Sequence, residues 1–110
     1  MEYSAIVAGT GFEGRASVIR LLVYPGTKLY LVPEPGNKYD KNAIAVKVRV
    51  IKWYFLFIPI KVGIGYIKKT LAATLSKRLG QGGAILEARV KSVDLDRDHP
   101  RVSIKIDTDW

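Results

Sequence analysis

A tyrosine, an aspartate and an asparagine cluster at Tyr39-Asp40-Lys41-Asn42, directly behind the turn-forming run Pro33-Glu34-Pro35-Gly36-Asn37. A ring and a carboxylate on one loop make it a candidate binding site. The plainer alternative is a loop whose Asp and Asn satisfy backbone donors while the Tyr covers the core, and these residues alone favour it. Other candidate chemistry falls away on inspection. Asp94-Leu95-Asp96-Arg97-Asp98 opens like a calcium loop, but His99 stands where the turn glycine belongs and Lys105 where the bidentate Glu belongs. A charged hairpin turn is the better reading. His99 is the sole histidine and there is no cysteine, so a zinc site would rest on carboxylates alone. Gly63-x-Gly65 lacks the third glycine of a dinucleotide loop because residue 68 is Lys, and reads better as a close approach of two backbones. No Ser-His-Asp or Cys-His set and no phosphate-binding G-x-x-x-x-G-K-[ST] loop is present. The expectation is a chain with no catalytic residues, no metal and no cofactor.

Positive charge is the strongest bulk signal. The net charge is +8 and the pI about 9.8, a range in which a basic domain points to nucleic acid. Residues 1–40 carry four acids and four bases, and residues 87–110 six acids and five bases. Between Lys41 and Leu86 there are nine bases and no Asp or Glu. Solubility alone would be met by mixed signs, whereas a polyanion binder gains from losing carboxylates that repel phosphate.

These groups must be positioned by one domain spanning 1–110, since 110 residues suffice for one core and not for two. Glu2 to Gly9 reads as a first strand, and Glu13 to Leu22 as a short helix. Thr27 to Val32 reads as a second strand. Ala43 to Lys52 alternates Ile44, Val46, Val48 and Val50 with Lys47 and Arg49, which predicts a strand with one core face and one charged face. Tyr54 to Val62 continues as strand, paired with its predecessor in a hairpin. Lys69 to Leu79 is the clearest helix, with Thr70 as N-cap, a Leu71-Leu75-Leu79 stripe, and Lys77 and Arg78 before Gly80. Ala84 to Val93 and Val102 to Thr108 complete the set. The fold class expected is mainly β: a small OB-like six-stranded barrel with one clear α-helix and a short second one. The longest apolar run, Trp53 to Ile60, has eight residues against the about 20 of a membrane span. The lack of cysteine and of a signal-like amino terminus makes the cytoplasm the default location.

Three stretches then spell a family pattern. They are Gly11-Phe12-Glu13-Gly14-Arg15, the run from Leu31 to Val46 containing Glu34-Pro35-Gly36-Asn37-Lys38-Tyr39-Asp40-Lys41-Asn42-Ala43-Ile44-Ala45, and Ile64-Gly65-Tyr66-Ile67-Lys68-Lys69 leading into the leucine-striped helix. In order and spacing they closely resemble the HIRAN domain, in its stand-alone prokaryotic or viral form. Family members also occur fused to helicase-like fork-remodelling ATPases. The resemblance implies an OB-like barrel that binds the 3′ end of single-stranded DNA in repair or replication-fork processing, with a helicase or nuclease acting in trans.

Under the resemblance, Tyr39 matches a ring that stacks on a terminal base, and Asp40 a carboxylate that accepts from the terminal 3′-hydroxyl. Lys69 matches a phosphate-contacting lysine, with Lys68 beside it, and Tyr66 an aromatic that touches the backbone. Where end-binding eukaryotic members carry an Arg-aromatic pair after the first strand, this sequence has Thr10 and Gly11, with Phe12 the nearest ring. Thr10 and Phe12 complete the expected nucleic-acid-binding set. A reading from a different class is an interaction or homodimerisation domain using the aromatic hairpin Trp53 to Phe57, whose alternative is an extended hairpin with a core face. Salt separates the readings, because phosphate contacts weaken steeply as salt rises and an apolar interface barely responds.

Overall fold

The structure, a computed structural model, describes residues 1–12, 14–52, 58–96 and 98–110. The strands are β1 (Glu2–Ile6), β2 (Tyr30–Pro33), β3 (Ile44–Lys52), β4 (Ile58–Tyr66), β5 (Ile85–Asp94) and β6 (Arg101–Thr108). The helices are α1 (Arg15–Leu22) and α2 (Lys69–Gly80). The aromatic hairpin expected at Trp53 to Phe57, and the dimer contact assigned to it, lie outside the described residues.

All pairings are antiparallel and form two three-stranded sheets, ordered β1-β6-β5 and β2-β3-β4. This differs from the single barrel expected. The sheets approach along two seams, marked by isolated bridges from Ala8 to Tyr66 on one side and from Lys28 to Arg89 on the other. The second is flanked by backbone hydrogen bonds from Gly26 N–H to the Val90 carbonyl, Leu29 N–H to that of Ala88 and Val90 N–H to that of Thr27. At the first seam Ala8 and Tyr66 exchange backbone hydrogen bonds of 2.8 and 2.9 Å. Gly65 permits that approach, since a Cβ there would overlap the Ala8 carbonyl oxygen and the Val7 side chain. The close-backbone reading of the glycine pair therefore holds at Gly65; Gly63 has open space around it.

The core lies between the sheets. Ile44, Val46 and Val48 of β3 meet Ile64 of β4 and Val102, Ile104 and Ile106 of β6, all buried. Lys47 and Arg49 point the other way, as the period-2 pattern requires. Ile19 of α1 and Ala72 and Leu75 of α2 cover the ends of this core. The helix α2 begins two residues earlier than a Thr70 cap would allow. Lys68 is the N-cap, without a side-chain cap bond, and its carbonyl accepts the first helical bond from Ala72 N–H at 2.9 Å. Gly80 lies inside the helix, and the chain leaves it through Gly82, at φ +91°.

Candidate nucleic-acid interface

The Pro33–Asn42 segment links β2 to β3 and is organised around one side chain. Asn37 Oδ1 accepts from the backbone N–H groups of Tyr39 at 2.9 Å and Asp40 at 3.1 Å, the Asx geometry that short polar side chains favour. Asn37 Nδ2 in turn donates to Glu34 Oε1 at 3.2 Å. Asp40 Oδ1 accepts from Asn42 N–H at 2.9 Å, leaving its second oxygen without a partner among the described residues. The far end of the loop is held to α2, where Ser76 Oγ donates to the Asn42 carbonyl at 3.0 Å.

This loop forms one wall of an open cleft of about 650 Å³, lined by Phe12, Arg15, Asn37, Tyr39, Asp40, Ala43, Tyr66, Ile67 and Lys69. Tyr39 is 84% exposed and Phe12 68% exposed, so two rings stand largely in solvent at one opening. Burying such area against water's competition favours a flat apolar partner. Tyr66 is fixed at the end of β4 by its hydroxyl, which donates to Glu34 Oε1 at 2.8 Å. The Arg15 guanidinium lies 5.4 Å from the centre of the Tyr66 ring, and its Nη1 donates to the Gly9 carbonyl at 2.8 Å. Lys69, in the first turn of α2, adds a second cation, and that turn holds no acid. The cleft thus combines rings, cations and one carboxylate, which suits a ligand with bases, phosphates and a hydroxyl.

Of the residues expected from sequence, Tyr39, Asp40, Tyr66, Phe12 and Lys69 share this cleft. Lys68 faces another hollow, of about 440 Å³, with Lys91, Ser4 and Ser103. Thr10 is buried, its hydroxyl donating to the Pro100 carbonyl at 2.7 Å, and does not line the cleft. Its neighbour Gly11 lies so close under His99 that a Cβ would strike the imidazole. The sequence reading missed Arg15 and Asn37. Asn37, two and three residues before the donors it accepts from, carried a legible Asx-turn signal; Arg15 carried none beyond its place in the Gly11–Arg15 run. No group of three or more metal-ligating side chains occurs among the described residues. No described helix is long and apolar enough to cross a membrane.

No curated protein matches the sequence. Among solved structures, the HIRAN domain of human HLTF superposes with a TM-score of 0.68 at 22% identity, covering 97% of this chain and 73% of that one. A Lactobacillus plantarum protein superposes with a TM-score of 0.68 at 20% identity, covering 96% and 97%. At such identities these similarities establish a shared fold. The HIRAN domain profile matches residues 3–110, nearly the whole chain. With that match, and with the Tyr39-Asp40 loop and the α2 amino terminus facing one cleft, the chain belongs to the HIRAN family, whose members are generally DNA-binding modules.

Proposed function

We propose that the cleft between the Asn37–Asp40 loop and the start of α2 binds the 3′ end of single-stranded DNA. The domain holds that end without acting on it chemically, and positions it for a helicase or nuclease carried by another chain in repair or fork processing. The observation that carries this reading is Asp40: a carboxylate in a cleft otherwise supplied with Arg15, Lys69 and two exposed rings. Beside a phosphate chain a carboxylate is repulsive unless it meets a donor, and the free terminal hydroxyl is the donor that a DNA end provides. One Asp40 oxygen is held by Asn42 N–H and the other is open to accept it.

In this reading the terminal base lies against Tyr39 and Phe12, and Lys69 and Arg15 attract the adjoining phosphates. Stacking on a ring is sequence-tolerant because every base has a π-face. Tyr39→Ala should weaken binding of a short strand by about 1–3 kcal/mol. Because the ring is exposed, stability should not change. Asp40→Asn keeps the loop's shape and removes the charge, so it should erase any preference for a hydroxyl over a phosphate at the 3′ terminus. Retained affinity in Tyr39→Ala together with retained end preference in Asp40→Asn would refute the assignment.

A further inference from the structure

The two sheets handle charge differently. The strands β1, β5 and β6 carry Glu2, Glu87, Asp94 and Asp107 against Arg89, Lys91, Arg101 and Lys105, four of each sign. Two of these bases are paired directly: Arg89 with Glu87, and Lys105 with Glu2 at 3.4 Å. The strands β2, β3 and β4 carry Lys47, Arg49, Lys52 and Lys61 and no acid at all. Lys47, Arg49 and Lys61, with Lys28 just before β2, have no carboxylate partner among the described residues.

The arrangement of these bases is costly to the fold. Arg49 and Lys61 stand directly opposite each other in the β3–β4 register, where like charges destabilise a sheet. Lys28 and Lys61 both bring their ammonium groups onto the Tyr30 ring, at 5.4 and 4.5 Å from its centre. Tyr30 in turn is opposite Lys47. Directly opposed residues share a face, and so do alternate residues of β3. Ala45, which is buried, and the more open Lys47 and Arg49 therefore fall on one side of β3, running from Tyr66 at the cleft to Lys61 across a register shift between Val46 and Lys47. Lys61 lies five positions before Tyr66 in β4, at most about 16 Å of strand, or about five steps of a DNA helix rising about 3.4 Å each.

From this we infer that the outer face of the β2-β3-β4 sheet, centred on Tyr30, Arg49 and Lys61, is a second nucleic-acid surface that takes the backbone phosphates of duplex DNA. The central Tyr30 ring is half-buried and crowded by two ammonium groups, so the middle of the patch offers charge where the cleft's exposed rings offer stacking. Duplex DNA presents phosphates and keeps its bases stacked inside, which matches a face dominated by Lys28, Lys47, Arg49 and Lys61, with the exposed Tyr24 ring at its edge beside Lys28 and Tyr30. Solubility does not explain the pattern, because the mixed signs of the other sheet already serve it. The inference goes beyond the end-binding reading and is tested apart from it.

The test is anisotropy titration of the full chain with two labelled ligands, a short single strand and a blunt duplex of about 20 base pairs, a length well beyond the five steps estimated above. Wild type is compared with Arg49→Gln/Lys61→Gln and with Lys61→Glu, which can pair with Arg49 and so keeps the sheet intact. The expected result is duplex affinity reduced about tenfold or more in both variants, with a salt slope shallower by about two in the double variant. Short-strand affinity should stay within about twofold in the same variants. Duplex binding that is absent in wild type, or unchanged in both variants, overturns the inference. So does a loss seen only on phosphatidylserine vesicles, which would assign the face to a membrane. Failure of 3′-end preference with variant-sensitive duplex binding would sink the cleft reading and leave this one standing.

Discussion

The Tyr66 hydroxyl donates to Glu34 Oε1 at 2.8 Å, joining the end of β4 to a loop 32 residues earlier in the chain. The same oxygen receives Asn37 Nδ2, so one carboxylate ties the cleft floor to the residue that shapes the Tyr39-Asp40 turn. Hydrogen bonds to a charged acceptor contribute about 1.5–3 kcal/mol. Tyr66→Phe should therefore lower unfolding free energy by about 1.5 kcal/mol in urea titration. Because the ring remains, Arg15 keeps its neighbour, and DNA affinity should fall only a few-fold.

Asn37 should matter more to binding than its lack of direct ligand chemistry suggests. Its side-chain oxygen accepts from both Tyr39 and Asp40 N–H. Asn37→Ala leaves those donors to water and frees the loop, whereas Asn37→Asp keeps the acceptor. The expected order of oligonucleotide affinity is wild type, then Asp, then Ala, with Asp weakened by its added charge and by losing the donor to Glu34 Oε1. Equal affinity for Ala and wild type would show that the turn does not preorganise the site.

The seam between the sheets gives a paired prediction. A Cβ at Gly65 meets the Ala8 backbone, which cannot swing aside like a side-chain tip, while Gly63 meets nothing within 4 Å. Gly65→Ala should cost more than about 3 kcal/mol, the upper range for overpacking. Gly63→Ala should be neutral or gain up to about 1 kcal/mol from reduced backbone entropy in the unfolded chain. Thermal unfolding of the two variants side by side checks both.

Charge on the β2-β3-β4 face should trade stability against binding. Lys61→Glu replaces a like-charge cross-strand pair with an opposite-charge one opposite Arg49, an exchange worth about 0.2–1 kcal/mol. Unfolding at low salt should show the gain, and added salt should shrink it.

Much of this architecture was legible because the physics was local. Alternation along Ile44–Val48 set the core face of β3, and the leucine spacing set α2, since each follows from the period of a single element. The Tyr39-Asp40 loop was legible through its resemblance to a family, and its Asn37 turn through side-chain geometry. What stayed hidden depends on contacts distant in sequence. Splitting the strands into two sheets rests on the Ala8–Tyr66 and Lys28–Arg89 seams, which no periodicity encodes. Thr10 looked available beside Phe12, yet its hydroxyl is consumed by Pro100, 90 residues away. Arg15 enters the cleft only because α1 starts at that residue, after Gly14 turns the chain at φ +72°.

The central claim is recognition of a free 3′-hydroxyl at Asp40, and one titration tests it most directly. A short labelled DNA strand ending in a 3′-hydroxyl is compared with the same strand ending in a 3′-phosphate, for wild type and for Tyr39→Ala/Asp40→Ala. The account predicts that wild type prefers the hydroxyl end by about tenfold or more, as expected for losing a charge-assisted hydrogen bond, and that the double variant shows no preference. Equal binding of both ends by wild type, unchanged in the double variant, would contradict it and leave only a nonspecific basic surface.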